Sequence, residues 1–198
     1  MSGRVFAKAP GSPPRIRSVI PEAPLESTDT GIVQAGPGWF VVSARDARWR
    51  YAEGRGAVCP FGDEAEFPQV GVNLYVLAKG EAMGMYHWEA DQEDFLVLSG
   101  EGLLLVEGQE RPLQSWDLVH CPPQTKHIIL GAGDDPCVVL AIGAREHQAG
   151  ADWGGYPVEE IATRHSVGVA EETTDAGKAY AGLAHRRPTH AREEWLSR

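Results

Sequence analysis

The middle of the chain is built from short apolar runs separated by turn residues. VGVNLYVL (Val70–Leu77) is rich in β-branched and aromatic residues, and further runs follow at intervals of about eight to twelve residues: DFLVLSG, GLLLVEG, ERPL, WDLVHC, HIIL and CVVLAIG. Glycine and proline stand between the runs, as at Gly100 and Pro122, and no long helical pattern interrupts them. Many short strands at this spacing predict an all-β fold, an antiparallel sandwich or barrel.

The two ends of the chain lack this pattern. Residues 1–38 are rich in proline and show no apolar period, which predicts an extended arm. The strand pattern begins at WFVVS and ends near residue 147, so we assign residues 39–147 to the barrel. In the remaining tail, 148–198, the stretch YPVEEIATRH (Tyr156–His165) predicts one short helix, because proline and glutamate suit its first turn. We expect the tail to pack on the barrel or on a partner subunit.

Composition excludes several classes of partner. The 198 residues carry a formal net charge of −10, so no basic face is available for the phosphates of a nucleic acid. No apolar run approaches the roughly 20 residues that cross a bilayer, and the N-terminus has no continuous apolar segment of a secretory signal. The three cysteines, Cys59, Cys121 and Cys137, are widely spaced and favour reduced, structural thiols. Together these features predict a cytoplasmic protein.

Candidate chemistry lies at the edges of two predicted strands. His87 and Glu89 are two positions apart, so in a strand their side chains share one face. Glu93 follows after a short turn that can bring it back alongside, and His127 opens the strand HIIL after a Pro-Pro turn. Two imidazoles and two carboxylates make a suitable ligand set for a divalent metal ion.

These residues also carry a family resemblance. HWEADQEDFLVLSG resembles the first motif of the cupin superfamily, H-x-H-(x)3–4-E-(x)6-G, with His87, Glu93 and Gly100 in register and Glu89 at the position of the second histidine. WDLVHCPPQTKHIILG resembles the second motif, G-(x)5-P-x-G-(x)2-H-(x)3-N. Pro122 and His127 are in register there, whereas the motif's two glycines and its asparagine are replaced by Trp116, Gln124 and Gly131.

The resemblance, which covers about Gly71 to Gly143, implies a specific architecture. It implies a double-stranded β-helix, the jelly-roll barrel of cupins, usually assembled as a homodimer and holding one divalent metal ion in its mouth. Carried over by position, the implied metal ligands are His87, Glu93 and His127. Glu89 joins them if its carboxylate replaces the usual imidazole.

Glu89 is the departure with the largest chemical consequence. With two carboxylates, the divalent ion and its ligands together have no net charge, which weakens the Lewis acidity of the ion compared with a three-histidine site. Hard oxygen ligands favour iron or manganese, with zinc or nickel as alternatives. Alternatively Glu89 stands off the metal, and His87, His127 and Glu93 form a facial triad while the spare carboxylate is a general base. Glu89 and Glu93 are therefore the candidate catalytic residues.

Three functional hypotheses remain open from the sequence. The first is an enzyme that acts on a small polar metabolite, by oxygenase chemistry first and by isomerisation or decarboxylation next. Its pocket would include Met85, which shares the strand face of His87, together with Tyr75 and His120, although His120 also suits a hydrogen-bonded barrel position. The second is a non-catalytic module that binds a small molecule in the same barrel. The third is a structural dimer that exchanges its arm and tail.

Overall fold

A computed structural model describes residues 19–62, 67–150 and 153–196. Within them the chain forms fourteen strands, two short α-helices and one 3-10 helix. The strands are β1 (Leu25–Thr28), β2 (Gly31–Gln34), β3 (Trp49–Tyr51), β4 (Ala57–Pro60), β5 (Val70–Leu77), β6 (Trp88–Glu89), β7 (Glu93–Ser99), β8 (Glu101–Val106), β9 (Gln109–Gln114), β10 (Leu118–Cys121), β11 (His127–Gly131), β12 (Cys137–Ala144), β13 (Gly154–Gly155) and β14 (Arg187–Thr189). The helices are α1 (Glu160–Arg164), α2 (Ala176–Ala179) and the 3-10 helix Glu193–Trp195.

Two antiparallel sheets make the body of the protein. The larger has seven strands in the order β10-β7-β12-β5-β4-β3-β14, and the smaller has three in the order β11-β8-β9. Side chains from both sheets meet in one apolar cluster, which includes Phe95, Val97 and Val139 from the large sheet and Leu104 and Ile129 from the small one. The architecture is the predicted all-β double-stranded β-helix, with its core between the sheets.

Strand β11 of the smaller sheet is buried on both faces. All five residues of β11 are buried, a pattern typical of a strand that is covered on both sides. Ile161 and Ala162 of α1 belong to the same apolar cluster as Ile128 and Ile129, so the short helix supplies part of that cover. The C-terminal segment thus contributes to the barrel core.

The outer face of the large sheet carries a second apolar cluster. Trp49 of β3 packs against Trp195 of the 3-10 helix with ring centroids 5.3 Å apart, and Leu74 and Val76 of β5 complete the contact. Arg186 fixes the approach to β14, because its guanidinium donates hydrogen bonds to the backbone carbonyls of Arg55, Gly56, Ala82 and Met83. The described tail therefore packs on its own barrel.

Two local predictions differ from the structure. WFVVS is not a strand, since Trp39 forms only an isolated bridge with Glu22 and residues 40–43 form no strand. The C-terminal helix begins at Glu160, since Tyr156 pairs with Thr173 and Glu159 is extended.

A tight hairpin joins β8 and β9, with Val106 paired to Gln109. Its turn is Glu107-Gly108, both with positive φ (46° and 74°), as a two-residue type I′ turn requires.

The N-terminal arm is only partly described. Residues 1–18 lie outside the described residues, while β1 and β2 form an antiparallel hairpin within the segment assigned to the arm. The domain boundaries 1–38, 39–147 and 148–198 stay a prediction.

Candidate metal centre

Two histidines face each other where β11 begins. His87 and His127 form an antiparallel backbone bridge, with the N–H of each donating to the carbonyl of the other at 3.2 and 2.8 Å. Each Nδ1 also lies against the carbonyl oxygen two residues before it, 2.8 Å from Met85 and 2.9 Å from Thr125. A carbonyl can only accept, so Nδ1 carries the proton in both rings and donates it. Both Nε2 atoms are thereby directed away from the backbone.

Glu93 completes a three-residue cluster with these rings. Its Oε2 lies 3.2 Å from Nε2 of His127 and 3.8 Å from Nε2 of His87, and one ligand atom from each of the three residues lies within 4.8 Å of the others. Oε2 of Glu93 and Nε2 of His127 are buried and have no hydrogen-bond partner in the described chain. Buried polar atoms almost always have a partner, and histidines that bind a metal typically donate their other nitrogen to a carbonyl. The three residues therefore fit a metal ion.

A positive charge is needed where these atoms converge. Without a metal a proton supplies it: burial lowers the pKa of His127, but Cys121 and the carboxylate of Glu93 outweigh that effect and raise it to about 10. Burial likewise raises the pKa of Glu93, but His127, followed by His87, outweighs it and holds that pKa below its ordinary value. Proton and metal ion compete for one place.

Glu89 lies beside the cluster but is not part of it. Its Oε1 is 3.6 Å from Nε2 of His87, while the group of ligand atoms within 4.8 Å of one another comprises only His87, Glu93 and His127. Burial raises the pKa of Glu89 above its ordinary value, and the charge of Glu93 adds to the rise although His87 opposes it. The two carboxylates thus differ in position and in acidity. Whether Glu89 ligates the metal or acts as a base stays a prediction.

Hydrogen bonds and strand pairing fix the loop between Glu89 and Glu93. Asp91 is buried and accepts hydrogen bonds from the backbone N–H of His147 at 2.9 Å and from its Nδ1 at 2.6 Å. On the strand before the loop, β6 pairs with β13, where a Cβ on Gly155 would come within 2.8 Å of the Trp88 ring. The turn predicted from sequence is thus fixed by residues near 147 and 155.

A cavity of about 300 Å³ opens over the cluster. Tyr75, Tyr156 and Tyr180 line it together with His87, Glu89, Glu93 and His127. Burial raises the pKa of Tyr75 to about 12, against the opposing charge of Arg186. Burial, and next Tyr180, also raises the pKa of Tyr156. Both phenols therefore stay protonated at neutral pH and are available as hydrogen-bond donors to a bound molecule.

The pocket residues expected from sequence divide in the structure. Tyr75 lines the cavity, as the inward face of β5 requires. Met85 is only 6% exposed and does not line it, because residues 84–87 are not a regular strand and the parity argument fails there. The side chain of His120 is 53% exposed and pairs with Asp94 at 2.7 Å, on the outside of the barrel.

Several cavity residues were missed. Asn73 shares the face of Tyr75 on β5, so strand alternation could have found it. Arg145, Tyr156 and Tyr180 come from segments without a strand pattern, and nothing in the sequence places them at the barrel mouth.

One family model matches part of the barrel. Residues 73–143 match the family model described as a cupin domain. No curated protein matches the chain. Among the helices of the described residues, none is both long and apolar enough to cross a membrane.

Solved structures give partial matches. A sugar phosphate isomerase of the cupin superfamily from Silicibacter pomeroyi is 27% identical over 52% of this chain and 62% of its own, with a TM-score of 0.41. A cupin protein from Bacteroides fragilis is 25% identical over 48% of this chain and 79% of its own, with a TM-score of 0.41. An uncharacterized double-stranded β-helix protein from Klebsiella pneumoniae is 19% identical over 52% of this chain and 88% of its own, with a TM-score of 0.45. This chain spans less than two thirds of the Silicibacter protein.

Proposed function

The chain belongs to the cupin superfamily through residues 73–143, and on that premise we propose that it is a metal-dependent enzyme of the oxygenase type, acting on a small polar metabolite. One observation carries the proposal. Two imidazoles and one carboxylate, those of His87, His127 and Glu93, converge in a cavity, and the ligand atoms of His127 and Glu93 have no hydrogen-bond partner in the described chain. Two histidines with one carboxylate are the ligand set of non-haem iron oxygenases.

Iron or manganese is the metal that we propose, with zinc or nickel as alternatives. His87, Glu93 and His127 would hold it through Nε2, Oε2 and Nε2. When bound, the ion supplies a Lewis acid and, in the case of iron, a one-electron donor toward dioxygen. Three protein ligands leave coordination positions open for substrate oxygens.

The remaining groups in the cavity orient the substrate and move its proton. Glu89 lies next to His87 with a raised pKa, which suits a general base that accepts a proton from a substrate hydroxyl. The phenols of Tyr75 and Tyr156 are held protonated by burial and can donate hydrogen bonds to substrate oxygens. Phe95 packs against the His127 ring with centroids 5.2 Å apart and keeps water from that side of the cluster.

The metal is tested first. Protein purified without added metal is expected to carry close to one equivalent of iron or manganese by elemental analysis, and His87→Ala and His127→Ala are expected to lose it. His185→Ala is the matched control, because that histidine is exposed and lies outside the cluster and the cavity. Circular dichroism shows whether each variant is folded. Equal metal content in all four folded proteins would contradict the ligand assignment.

Oxygen uptake then tests the reaction class. With iron bound, we expect one compound in a panel of small phenols, organic acids and sugars to increase oxygen consumption. Glu89→Gln should lower the rate while the metal content is retained. Iron-loaded protein that turns over a compound without oxygen uptake would refute the oxygenase assignment.

Proton transfer without oxygen is the second candidate. A base at Glu89 and two protonated phenols around one cavity also suit an isomerase or a decarboxylase. The Silicibacter protein bears the name sugar phosphate isomerase. Solvent deuterium incorporated into a substrate under anaerobic conditions would favour this candidate. Stoichiometric binding of a small molecule without any turnover would instead favour the non-catalytic module.

We also propose that the protein is a homodimer in the cytoplasm. Leu118, 69% exposed, begins β10, the edge strand of the large sheet, and Trp116, 76% exposed, lies in the turn just before it. An exposed apolar edge favours pairing with a second copy. Light scattering after size exclusion should give twice the chain mass, and Leu118→Lys should give the monomer mass.

A further inference from the structure

Two glycines form a bare strip across the floor of the cavity. Glu93 of β7 pairs with Gly143 of β12, which pairs on its other side with Gly71 of β5. Residues paired across neighbouring strands share a face, so the row Glu93–Gly143–Gly71 points into the cavity that all three line. A Cβ on Gly143 would lie 3.6 Å from Cγ of Glu93. The strip therefore leaves the space beside the Glu93 carboxylate open.

Arg145 occupies the far end of this strip. It lies two residues after Gly143 and therefore on the same face. A Cβ on Gly71 would come within 3.0 Å of Nη2 and 3.1 Å of Nε of Arg145, so the guanidinium lies directly over that glycine. The Phe67 carbonyl accepts a hydrogen bond from Nη1 at 3.1 Å and holds the side chain there. Glycine at position 71 is what lets the guanidinium lie at the mouth of the cavity.

The charge of Arg145 is unusual in this cavity. It is the one lysine or arginine among the cavity-lining residues of the described chain. A divalent ion with Glu89 and Glu93 close by is already neutralised, and the whole chain has a net charge of −10. Attraction for a negatively charged molecule therefore has to come from this guanidinium.

The geometry favours a carboxylate as its partner. A guanidinium presents parallel N–H donors that match the two oxygens of a carboxylate, and the Asn73 and Gln148 amides line the same cavity. A phosphate dianion carries twice the charge of one guanidinium, and the neutralised metal site leaves no second cation among the described residues of this cavity to balance it. Two strand spacings, about 9.5 Å in all, separate the Glu93 backbone from that of Gly71. A water-sized group occupies about 30 Å³, so the 300 Å³ cavity has room for about ten such groups.

We propose that the cavity binds a small organic acid, with its carboxylate on Arg145 and a hydroxyl or keto oxygen directed toward His87, Glu93 and His127. The assignment rests on the proposed function for the second contact only. The contact with Arg145 depends on the arginine and on the two glycines that clear its surroundings. It names the substrate class of the enzyme as hydroxy or oxo acids.

Matched acids and amides test the proposal by calorimetry on manganese-loaded protein. The probes are lactate, mandelate and pyruvate, with lactamide and mandelamide as uncharged counterparts and glycerol phosphate, which has no carboxylate, as the phosphate arm. At least one acid is expected to bind ten times more tightly than its amide. Arg145→Gln should remove this preference, Arg145→Lys should keep part of it, and Gly71→Ala should weaken it by displacing the guanidinium. Arg111→Gln, an exposed arginine on β9, is the control that should change nothing.

The outcomes separate this inference from the metal proposal. Arg145→Gln should contain as much metal as the wild type, and the preference for acids should persist in part after chelation. If the wild type binds no metal but Arg145 still selects acids, the metal proposal fails and the inference stands. Equal affinity for acids and amides, no binding of any acid at millimolar concentration, or tighter Arg145-dependent binding of glycerol phosphate would each overturn it.

Discussion

Replacing Glu93 with glutamine removes a carboxylate from the metal cluster, whereas replacing Glu89 leaves the cluster complete. The distances define the contrast: Oε2 of Glu93 lies 3.2 and 3.8 Å from the two Nε2 atoms, while Glu89 is close only to His87, at 3.6 Å. We therefore expect Glu93→Gln to weaken manganese binding by about 100-fold or more, because outer residues that only support a ligand already contribute about 10–100-fold. Glu89→Gln should weaken it by less than about tenfold.

These changes in metal affinity can be measured as shifts in the Tm of thermal unfolding. A metal at 100 times its Kd stabilises the fold by about 2.7 kcal/mol, which for a chain of this length raises Tm by about 5–11 °C. At the same metal concentration, a 100-fold weaker variant gains about 0.4 kcal/mol, or about 1–2 °C. A tenfold weaker variant keeps about 1.4 kcal/mol, or about 3–6 °C. The measurement is scanning fluorimetry of each protein with manganese and with chelator.

In the presence of chelator, the two substitutions are expected to shift Tm in opposite directions. The pKa of Glu89 is raised by burial, so its charge at neutral pH destabilises the metal-free fold, and Glu89→Gln should raise Tm. The pKa of Glu93 is lowered by His127, so its charge stabilises that fold, and Glu93→Gln should lower Tm. If Glu89→Gln loses as much metal-induced stabilisation as Glu93→Gln, Glu89 is a ligand and its assignment as a free base is wrong.

Two further predictions concern the surroundings of the site. Arg186→Met should destabilise the protein by about 2–4 kcal/mol in urea unfolding, because the loss of several charge-assisted hydrogen bonds to carbonyls outweighs the removal of a buried charge. Replacing the neighbouring exposed arginine, Arg187→Met, should change the stability little. Equal effects of the two substitutions would contradict the role of Arg186. Tyr75→Phe should keep the protein folded to higher pH. The pKa of the Tyr75 phenol is near 10 in the unfolded chain and about 12 in the fold, so the wild type loses stability as the pH rises through that window. Alkaline unfolding at the same pH in both proteins would refute the raised pKa.

Strand alternation and motif spacing predicted the barrel and the cluster because both depend on local rules. A strand of period two places His87 near Glu89, and the apolar run from Phe95 to Val97 anchors Glu93 at the edge of the core. Local rules fail where distant backbone decides the conformation. Gly131 illustrates this point: it replaces the asparagine of the motif, and a Cβ there would overlap the carbonyl of Ala78.

The rest of the cavity depends on contacts that no local pattern encodes. Tyr156 and Tyr180 come from the C-terminal tail, whose position is fixed by the pairing of Tyr156 with Thr173 and by the hydrogen bond from the Met85 N–H to the Tyr180 hydroxyl. Met85 was misplaced for the same reason, since its neighbourhood is shaped by this tail contact and not by strand pairing. Arg145 gained its place from the absence of a side chain at Gly71.

The backbone carbonyls that orient His87 and His127 have a consequence for how the protein acquires its metal. Because Met85 and Thr125 fix both rings, the chain builds the shape of the site during folding and no ion is needed to organise it. Imidazole and carboxylate ligands accept several first-row divalent ions, and the intrinsic affinity of such a ligand set rises from manganese and iron toward copper. Refolding in an equimolar mixture of manganese, iron and zinc should therefore give the zinc protein. In a cell, the ion most accessible to the newly folded chain decides which chemistry it performs.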